Sequence, residues 1–348
     1  MAPKSDSLRS ASRRALLRAL AGGMGFAAAP SMVSATGGGA ALYADAGLGA
    51  YGFPAGHPLG VDRQGAFLAE AAAQGLLAGV ARHASRKASR REIERFHTAA
   101  HVDRVRDAER SGLEFLDKGD TPVFPGVFDA GSCVVGAALD GLARIMEGEF
   151  ERSLQPVGGL HHAGRGHAAG FCVFNDLGVV IETLRSAYGI RRVGYVDIDV
   201  HHGDGVFYAF EEDPDFIFAD IHEDGRLLYP GTGGEEETGR GAAAGTKLNI
   251  PLAAGSGDGE FARAWKRVED HLGRFEPEFL LFQCGADGLK GDPLAHLHYS
   301  PATHALAARR LRAFARRHCR GRLMAFGGGG YDRANLARAW SAVLRELA

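Results

Sequence analysis

The chain is poor in cysteine, with four in 348 residues and no CxxC pair. That scarcity disfavours a disulfide framework and a thiolate zinc site. No run of about 18 apolar residues is present, so we expect no membrane-spanning helix and no membrane partner. An excess of one charge is also missing, because 40 Lys and Arg face 42 Asp and Glu. A net charge of −2 supplies no strong field for nucleic acid, which we exclude as a partner.

The N-terminal region 1–38 differs from the rest of the sequence. A basic segment containing Arg13 and Arg14 precedes a weakly apolar stretch and a group of small residues. This order is typical of a signal peptide, and the paired arginines resemble a twin-arginine export signal. A disordered tail, or a true start at Met24 or Met32, would also explain the segment. We expect a cytoplasmic location, with periplasmic export as the alternative.

Residues 39–348 alternate helical patterns with short apolar runs, which predicts one α/β domain. The runs suit strands buried on both faces, as in a parallel sheet covered by helices. Each run precedes a polar or Gly-rich loop, and such loops form ligand sites beyond the carboxyl ends of strands. Segments 119–132 and 222–247 are expected to be irregular rim loops. The predicted strands are Val193–Val200, Phe216–Ile221, Phe279–Phe282 and Leu323–Phe326, and the predicted helices are 64–82, 131–148, 175–188, 259–273, 302–318 and 333–347.

The densest group of candidate metal ligands follows the first of these predicted strands. In an extended chain Asp197, Asp199 and His201 would share one face, spaced by about 6.6–6.8 Å per two residues. Two carboxylates and an imidazole brought together are poorly solvated unless a cation binds them. An open zinc site needs three protein ligands, and Asp287, after another predicted strand, is the candidate third. A single Asp or His of this kind would more often be a turn cap or a polar core residue. That interpretation does not explain the whole cluster.

Two further motifs carry groups suited to catalysis. GGLHHA contains His161 and His162, which need partners that fix their tautomers, and Asp197 and Asp204 are available carboxylates. GGGGYD presents Tyr331 after four glycines, and a tyrosine hydroxyl can donate to a developing oxyanion. Taken separately, the first motif could be a surface histidine pair and the second a flexible turn.

Six motifs in this order closely resemble the zinc-dependent histone deacetylase family. They are GGLHHA, GFCVFND, VDIDVHHGDGVFYAF, YPGTG, QCGADGLKGDP and GGGGYDRANLARAW, and the match runs from about Ala41 to the C-terminus. QCGAD and GGGGY are similar to the class I-like branch of a superfamily that includes acetoin-utilisation proteins and acetylpolyamine amidohydrolases. The resemblance implies a single arginase-like α/β domain around an eight-stranded parallel sheet, with the active site at the C-terminal ends of the strands. It also implies an amidohydrolase that deacetylates protein lysines or small acetylated amines.

The resemblance assigns the catalytic roles residue by residue. His162, hydrogen-bonded to Asp204, would be the general base and then the general acid. His161, paired with Asp197, would remain electrostatic, and Tyr331 would complete the oxyanion site. The implied zinc ligands are Asp199, His201 and Asp287, with Fe²⁺ as an alternative native ion.

Substrate and potassium sites are implied in the same way. Phe171, after Gly170, and Tyr229 match residues lining an acyl-lysine channel, although Tyr229 stands where the family often has Phe. Asp120 matches an aspartate at the rim that binds substrate backbone amides. Potassium would bind beside the zinc and at a second site near Phe210. The first potassium would involve the main chain at Asp197, Asp199 and His201, where Asp220 replaces a usual Ser.

Three competing functions remain open at this point. A binuclear manganese ureohydrolase shares the architecture but needs more carboxylates in the second motif, as in an Asp-x-Asp pair, where this sequence offers Ala286-Asp287-Gly288 with one acid. A non-catalytic acyl-lysine-binding module would lack a ligand, the base or the tyrosine. An acetylpolyamine deacetylase would carry a long insertion that segment 51–63 lacks. The bacterial-looking leader argues against histones as the target.

Overall fold

The computed structural model describes residues 39–54 and 56–348, in which eight short segments pair into one sheet. All seven strand pairings are parallel, as the resemblance implies. The strands are β1 (Ala40–Tyr43), β2 (Ala81–His83), β3 (Arg152–Gln155), β4 (Val193–Asp197), β5 (Phe216–Glu223), β6 (Lys247–Leu252), β7 (Phe279–Gln283) and β8 (Leu323–Phe326).

The strand order is β2-β1-β3-β8-β7-β4-β5-β6, so four of the seven pairs of consecutive strands are neighbours in the sheet, and crossovers separate β2 from β3, β3 from β4 and β6 from β7. In this register Asp197 at the end of β4 lies opposite Asp220 of β5 and Gln283 of β7. Polar residues of three adjacent strands therefore meet at the C-terminal edge of the sheet. Because ligands of parallel sheets bind at this edge, the order places the candidate site near the middle of the sheet.

Two hydrophobic clusters cover the two faces of the sheet. Tyr195 and Phe218 belong to one cluster, whereas Val196 and Ala219 belong to the other. Alternate residues of a strand point to opposite faces. The continuous apolar runs of the sequence therefore supply both cores at once, which confirms strands buried on both sides.

Helices pack on both faces, and several begin at a recognisable cap. Asn175 accepts a hydrogen bond from Gly178 N and Asp332 from Asn335 N, which satisfies amides that have no partner inside the helix. Among the described residues no helix combines the length and apolarity needed to cross a bilayer. The helices are α1 (Ala46–Gly49), α2 (Arg63–Ala73), α3 (Arg90–Ile93), α4 (Ala99–Ser111), α5 (Val127–Glu147), α6 (Asp176–Tyr188), α7 (Asp204–Ala209), α8 (Asp258–Phe275), α9 (Pro301–His318) and α10 (Arg333–Leu347), with 3₁₀ turns at Leu76–Gly79 and Gly241–Ala243.

Three predicted boundaries are wrong. The helix expected at 64–82 ends at Ala73, because Gly75 turns the chain with a φ of 69° and a 3₁₀ turn and β2 follow. The rim loop expected at 119–132 is helical from Val127 onward. The strand expected to reach Val200 ends at Asp197. The predicted leader, residues 1–38, lies outside the described residues.

Candidate active site

The loops after β4 and β7 bring the three predicted ligands together. Asp199, His201 and Asp287 are buried, and each offers a ligand atom within 4.8 Å of the others. His201 Nδ1 lies 3.1 Å from Asp199 Oδ1 and 3.1 Å from Asp287 Oδ2. Because β4 ends at Asp197, the extended geometry assumed for Asp197–His201 is wrong. A turn, and not strand alternation, places Asp199 and His201 beside Asp287.

The charges of this cluster fit a divalent cation. Burial, reinforced by Asp199, raises the pKa of Asp287 to about 7. Burial opposes protonation of His201, but hydrogen bonds to the two carboxylates raise its pKa to about 10. Two buried acids thus compete for one proton on one imidazole. A divalent metal would neutralise both, and carboxylate oxygen with imidazole nitrogen is an accepted donor set for zinc with an open position.

The histidine pair lies beside this cluster, and each ring is held by its own carboxylate. His161 Nδ1 donates to Asp197 Oδ2 over 2.8 Å, and His162 Nδ1 donates to Asp204 Oδ1 over 2.6 Å. The two Nε2 atoms are 3.1 Å apart. Burial, together with the neighbouring His161, lowers the pKa of His162 to about 4. His162 is therefore neutral at pH 7, with an unprotonated Nε2 that can accept a proton.

The glycines after β8 let the main chain approach the cluster closely. A Cβ on Gly327 would lie 2.0 Å from Pro156 O, and one on Gly329 would lie 2.0 Å from Asp287 Oδ2. Gly329 N donates to Asp199 Oδ2 over 2.8 Å. No side chain fits at these two positions, so the run of glycines is a packing requirement of the site.

Tyr331 follows these glycines and lines a cavity together with His162 and His201. Its main-chain N donates to Asp292 Oδ2 over 2.8 Å, and its ring packs edge-on against Phe171 with centroids 5.9 Å apart. Burial and the charge of Asp287 raise the pKa of Tyr331 well above its ordinary value. The hydroxyl therefore keeps its proton at neutral pH and can serve as a hydrogen-bond donor.

A cavity of about 210 Å³ connects these groups to solvent. Phe171 forms one wall with a φ of 69°, and Tyr51 Oη and Thr121 Oγ1 bind its main chain at 2.7 and 3.1 Å. Tyr229, 40% exposed, stands over His162 with centroids 5.0 Å apart. Narrow aromatic walls suit an extended aliphatic chain. The residues lining the cavity are Asp120, His162, Gly170, Phe171, His201, Leu228, Tyr229, Leu294 and Tyr331.

Several residues that shape the site were not predicted. Gln283 Nε2 donates to Asp199 Oδ2 over 2.8 Å, and Asp176 accepts from Gly159 N and Leu160 N at 2.9 and 2.8 Å. Gln283 and Asp176 stand inside two of the recognised motifs, which was an available signal. Arg63 binds the main-chain oxygens of the glycine loop from a distant helix, and no local pattern marks it.

Asp220 has both carboxylate oxygens engaged. Oδ1 accepts from His222 Nδ1 over 2.8 Å and Oδ2 accepts from Gly203 N over 2.9 Å. The residue is fully buried. The departure from serine is thus accommodated by a histidine two residues further along the same strand.

Comparison with known proteins identifies relatives of the whole domain. The histone deacetylase domain family matches residues 57–347. Acetoin utilization protein AcuC of Bacillus subtilis (strain 168) is 38% identical over 271 residues, which cover 75% of this chain and 70% of that protein. Histone deacetylase RPD3 of Saccharomyces cerevisiae (strain ATCC 204508 / S288c) is 32% identical over 310 residues, covering 86% and 70%. The crystal structure of an HDAC homologue complexed with SAHA superposes with a TM-score of 0.81 at 32% identity, covering 89% of this chain and 84% of that one.

Proposed function

Because the chain belongs to the histone deacetylase domain family, we propose that it hydrolyses the amide of acetylated lysine side chains or of small acetylated amines. The chain is a metal-dependent deacetylase. The observation that carries the proposal is the placement of the metal-capable cluster, a neutral histidine and a tyrosine around one narrow cavity. These are the three kinds of group that hydrolysis of an unactivated amide requires.

The metal would be held by Asp199, His201 and Asp287, and we propose Zn²⁺, with Fe²⁺ as the alternative in vivo. When bound, such an ion supplies Lewis acidity toward a carbonyl oxygen and makes water a better nucleophile at neutral pH. One ion per chain is expected, because the loop after β7 has Asp287 alone where a binuclear site needs an Asp-x-Asp pair. The binuclear manganese ureohydrolase is disfavoured for the same reason.

His162 supplies the proton transfers in this mechanism. Asp204 accepts a hydrogen bond from Nδ1–H, which keeps that proton on Nδ1 and leaves Nε2 to take a proton from the attacking water. His162 then returns a proton to the nitrogen of the leaving amine. General acid–base catalysis of this kind contributes about 10²–10⁴-fold. His161, held by Asp197 with its Nε2 3.1 Å from that of His162, stabilises the charge that develops.

Tyr331 and the cavity walls position the substrate. The Tyr331 hydroxyl donates to the carbonyl oxygen as negative charge develops there. Gly170, Phe171 and Tyr229 line the path for the methylene chain, and Asp120 at the mouth would accept hydrogen bonds from amides of the substrate. An acetylated lysine side chain matches both the aliphatic walls and the polar rim. Acetylpolyamines are the second candidate substrates, disfavoured by the short segment 51–63.

Two further parts of the proposal concern cations and location. We retain a potassium ion beside the metal site at the main chain of Asp197, Asp199 and His201 as an expectation from the family. We also retain the division into a leader or tail at 1–38 and a catalytic domain at 39–348. A cytoplasmic location is proposed, with periplasmic export as the alternative, and N-terminal sequencing of the purified protein distinguishes them.

Metal removal and ligand substitution test the activity together. Chelation should abolish acetate release from an acetyl-lysine peptide, and one equivalent of Zn²⁺ or Fe²⁺ should restore it. His201→Ala should lose the bound metal by elemental analysis, whereas His298→Ala, at an exposed histidine outside the cavity, should retain it. Undiminished activity after exhaustive chelation would contradict the proposal. A bound stoichiometry of two metals per chain would favour the ureohydrolase instead.

A further inference from the structure

Lys247, the first residue of β6, has its charged group inside the protein. The residue is 2% exposed, and lysine is rarely buried this completely. Its Nζ donates to Phe216 O over 2.8 Å, to Asp213 O over 2.9 Å and to Thr246 Oγ1 over 2.7 Å. All three acceptors are neutral oxygens, two of them main-chain carbonyls. The arrangement is therefore a cage of uncharged oxygens around a monovalent cation.

The hydrogen bonds require that the amine is protonated. An ammonium has three N–H donors, and each finds one acceptor here. Thr246 Oγ1 donates its own proton to Ala243 O over 2.8 Å, so it can only accept from Lys247. A neutral amine would turn its lone pair toward one of these oxygens. Burial lowers the pKa of Lys247 to about 8, which still leaves the group mostly charged at pH 7.

The cage ties two parts of the fold together. Asp213 lies in the turn between α7 and β5, just beyond Phe210, and Phe216 is the first residue of β5. Thr246 and Lys247 stand where β6 begins. Nearby charges are already paired, since the Asp213 carboxylate contacts Arg185 and Glu211 contacts Arg240. The ammonium thus donates to these carbonyls from the interior, where Asp213 O also accepts from Phe216 N over 3.3 Å. Main-chain carbonyls arranged in this way are what proteins use to bind dissolved K⁺.

We infer that the Lys247 ammonium is a tethered monovalent cation that fills a carbonyl site near Phe210 and replaces a dissolved potassium ion there. The second potassium that the family resemblance implies near Phe210 does not fit, because the amine occupies the oxygens available to it. The site becomes a genuine cation-binding site once the lysine side chain is removed. This inference does not depend on the proposed function.

Salt-dependent unfolding of Lys247 variants tests the inference. Lys247→Ala should lower Tm by roughly 5–10 °C in N-methylglucamine chloride, whose cation is too large to enter. KCl or NH₄Cl at equal ionic strength should restore at least half of that loss. Lys247→Met fills the space without charge, so it should be destabilised equally in all three salts. Lys266→Ala, at an exposed lysine of α8, should respond to salt as the wild type does.

The inference is overturned if Lys247→Ala and the wild type shift equally between the salts. Hydrogen exchange on the wild type provides a second measurement that needs no variant. The amides of residues 211–213 and 215–217 should be equally protected in KCl and in N-methylglucamine chloride, because the cation bound there is covalently attached. A loss of protection confined to these amides on removing K⁺ would show that a dissolved ion is needed and would contradict the inference.

Discussion

Removing the hydroxyl of Tyr331 should slow catalysis without affecting metal binding. Tyr331→Phe keeps the ring that packs on Phe171 and the main-chain bond to Asp292. Loss of one oxyanion donor typically costs about 10²–10³-fold in kcat. We expect that loss in acetate release, with metal content unchanged by elemental analysis.

Tyr229→Phe is the matched control for Tyr331→Phe. Its ring lines the cavity mouth, and its hydroxyl is assigned no part in the mechanism. Turnover of this variant should stay within about threefold of wild type, well below the effect of removing a catalytic donor. If the two variants lose activity equally, Tyr331 has no special role.

The sequence predicted those site residues that lie close together in a short motif or directly after an apolar run. Asp199 and His201 stand two apart, and Asp287 lies in the loop after another apolar run, so their meeting could be predicted. Arg63 could not be found this way, because its role arises only where α2 meets the glycine loop. Lys247 also gave no signal, since two of its three partners are main-chain carbonyl oxygens that any residue carries.

At the scale of elements, two glycines inside helices have opposite environments. Gly136 in α5 is buried, and a Cβ there would lie 1.9 Å from Arg86 O. Gly65 in α2 is exposed and has no atom within 4 Å of the same position. Gly136→Ala should therefore destabilise the protein by about 1–3 kcal/mol through overpacking. Gly65→Ala should stabilise it by roughly 0.5–1 kcal/mol, because alanine loses less backbone entropy on entering a helix.

Urea unfolding of the two variants measures these changes. Both variants exchange a glycine for alanine inside a helix. If the free energy of unfolding changed in the same direction in both, the packing argument for Gly136 would be contradicted. Retained deacetylase activity in Gly65→Ala would show that the substitution in α2 leaves the active site unchanged.

Element type was predictable wherever a run was long and apolar, and less so at the edges of the sheet. β4, β5, β7 and β8 were predicted, because each is buried on both faces. β2 was assigned to a helix, since its three residues are largely exposed and carry no alternation. β1, β3 and β6 were also missed, and three of the four residues of β3 are polar, which hid its burial.

At the scale of the whole molecule, histidines held in the neutral form predict loss of stability in acid. Burial lowers the pKa of His97 to about 3 and that of His271 to about 4. Between these values and the unfolded value near 6.5, the unfolded chain binds more protons than the folded one. The free energy of unfolding should therefore fall as pH drops below about 6.5 toward pH 4.

Glutamine substitutions isolate this effect. His97 Nε2 accepts from Asn175 N over 2.8 Å, and His271 Nε2 donates to Thr246 O over 3.1 Å, and a glutamine amide can serve either role. The double variant His97→Gln/His271→Gln should lose less unfolding free energy between pH 7 and pH 5 than the wild type in urea titrations. An unchanged slope would show that these two rings do not govern acid sensitivity.

The strand order also has a consequence for biosynthesis. β8 stands between β3 and β7, so the sheet exists as two separate pieces, β2-β1-β3 and β7-β4-β5-β6, until β8 joins them. His161 belongs to the first piece, the ligands Asp199, His201 and Asp287 to the second, and Tyr331 follows the joining strand. A nascent chain on the ribosome therefore cannot complete the site until β8 and Tyr331 have emerged.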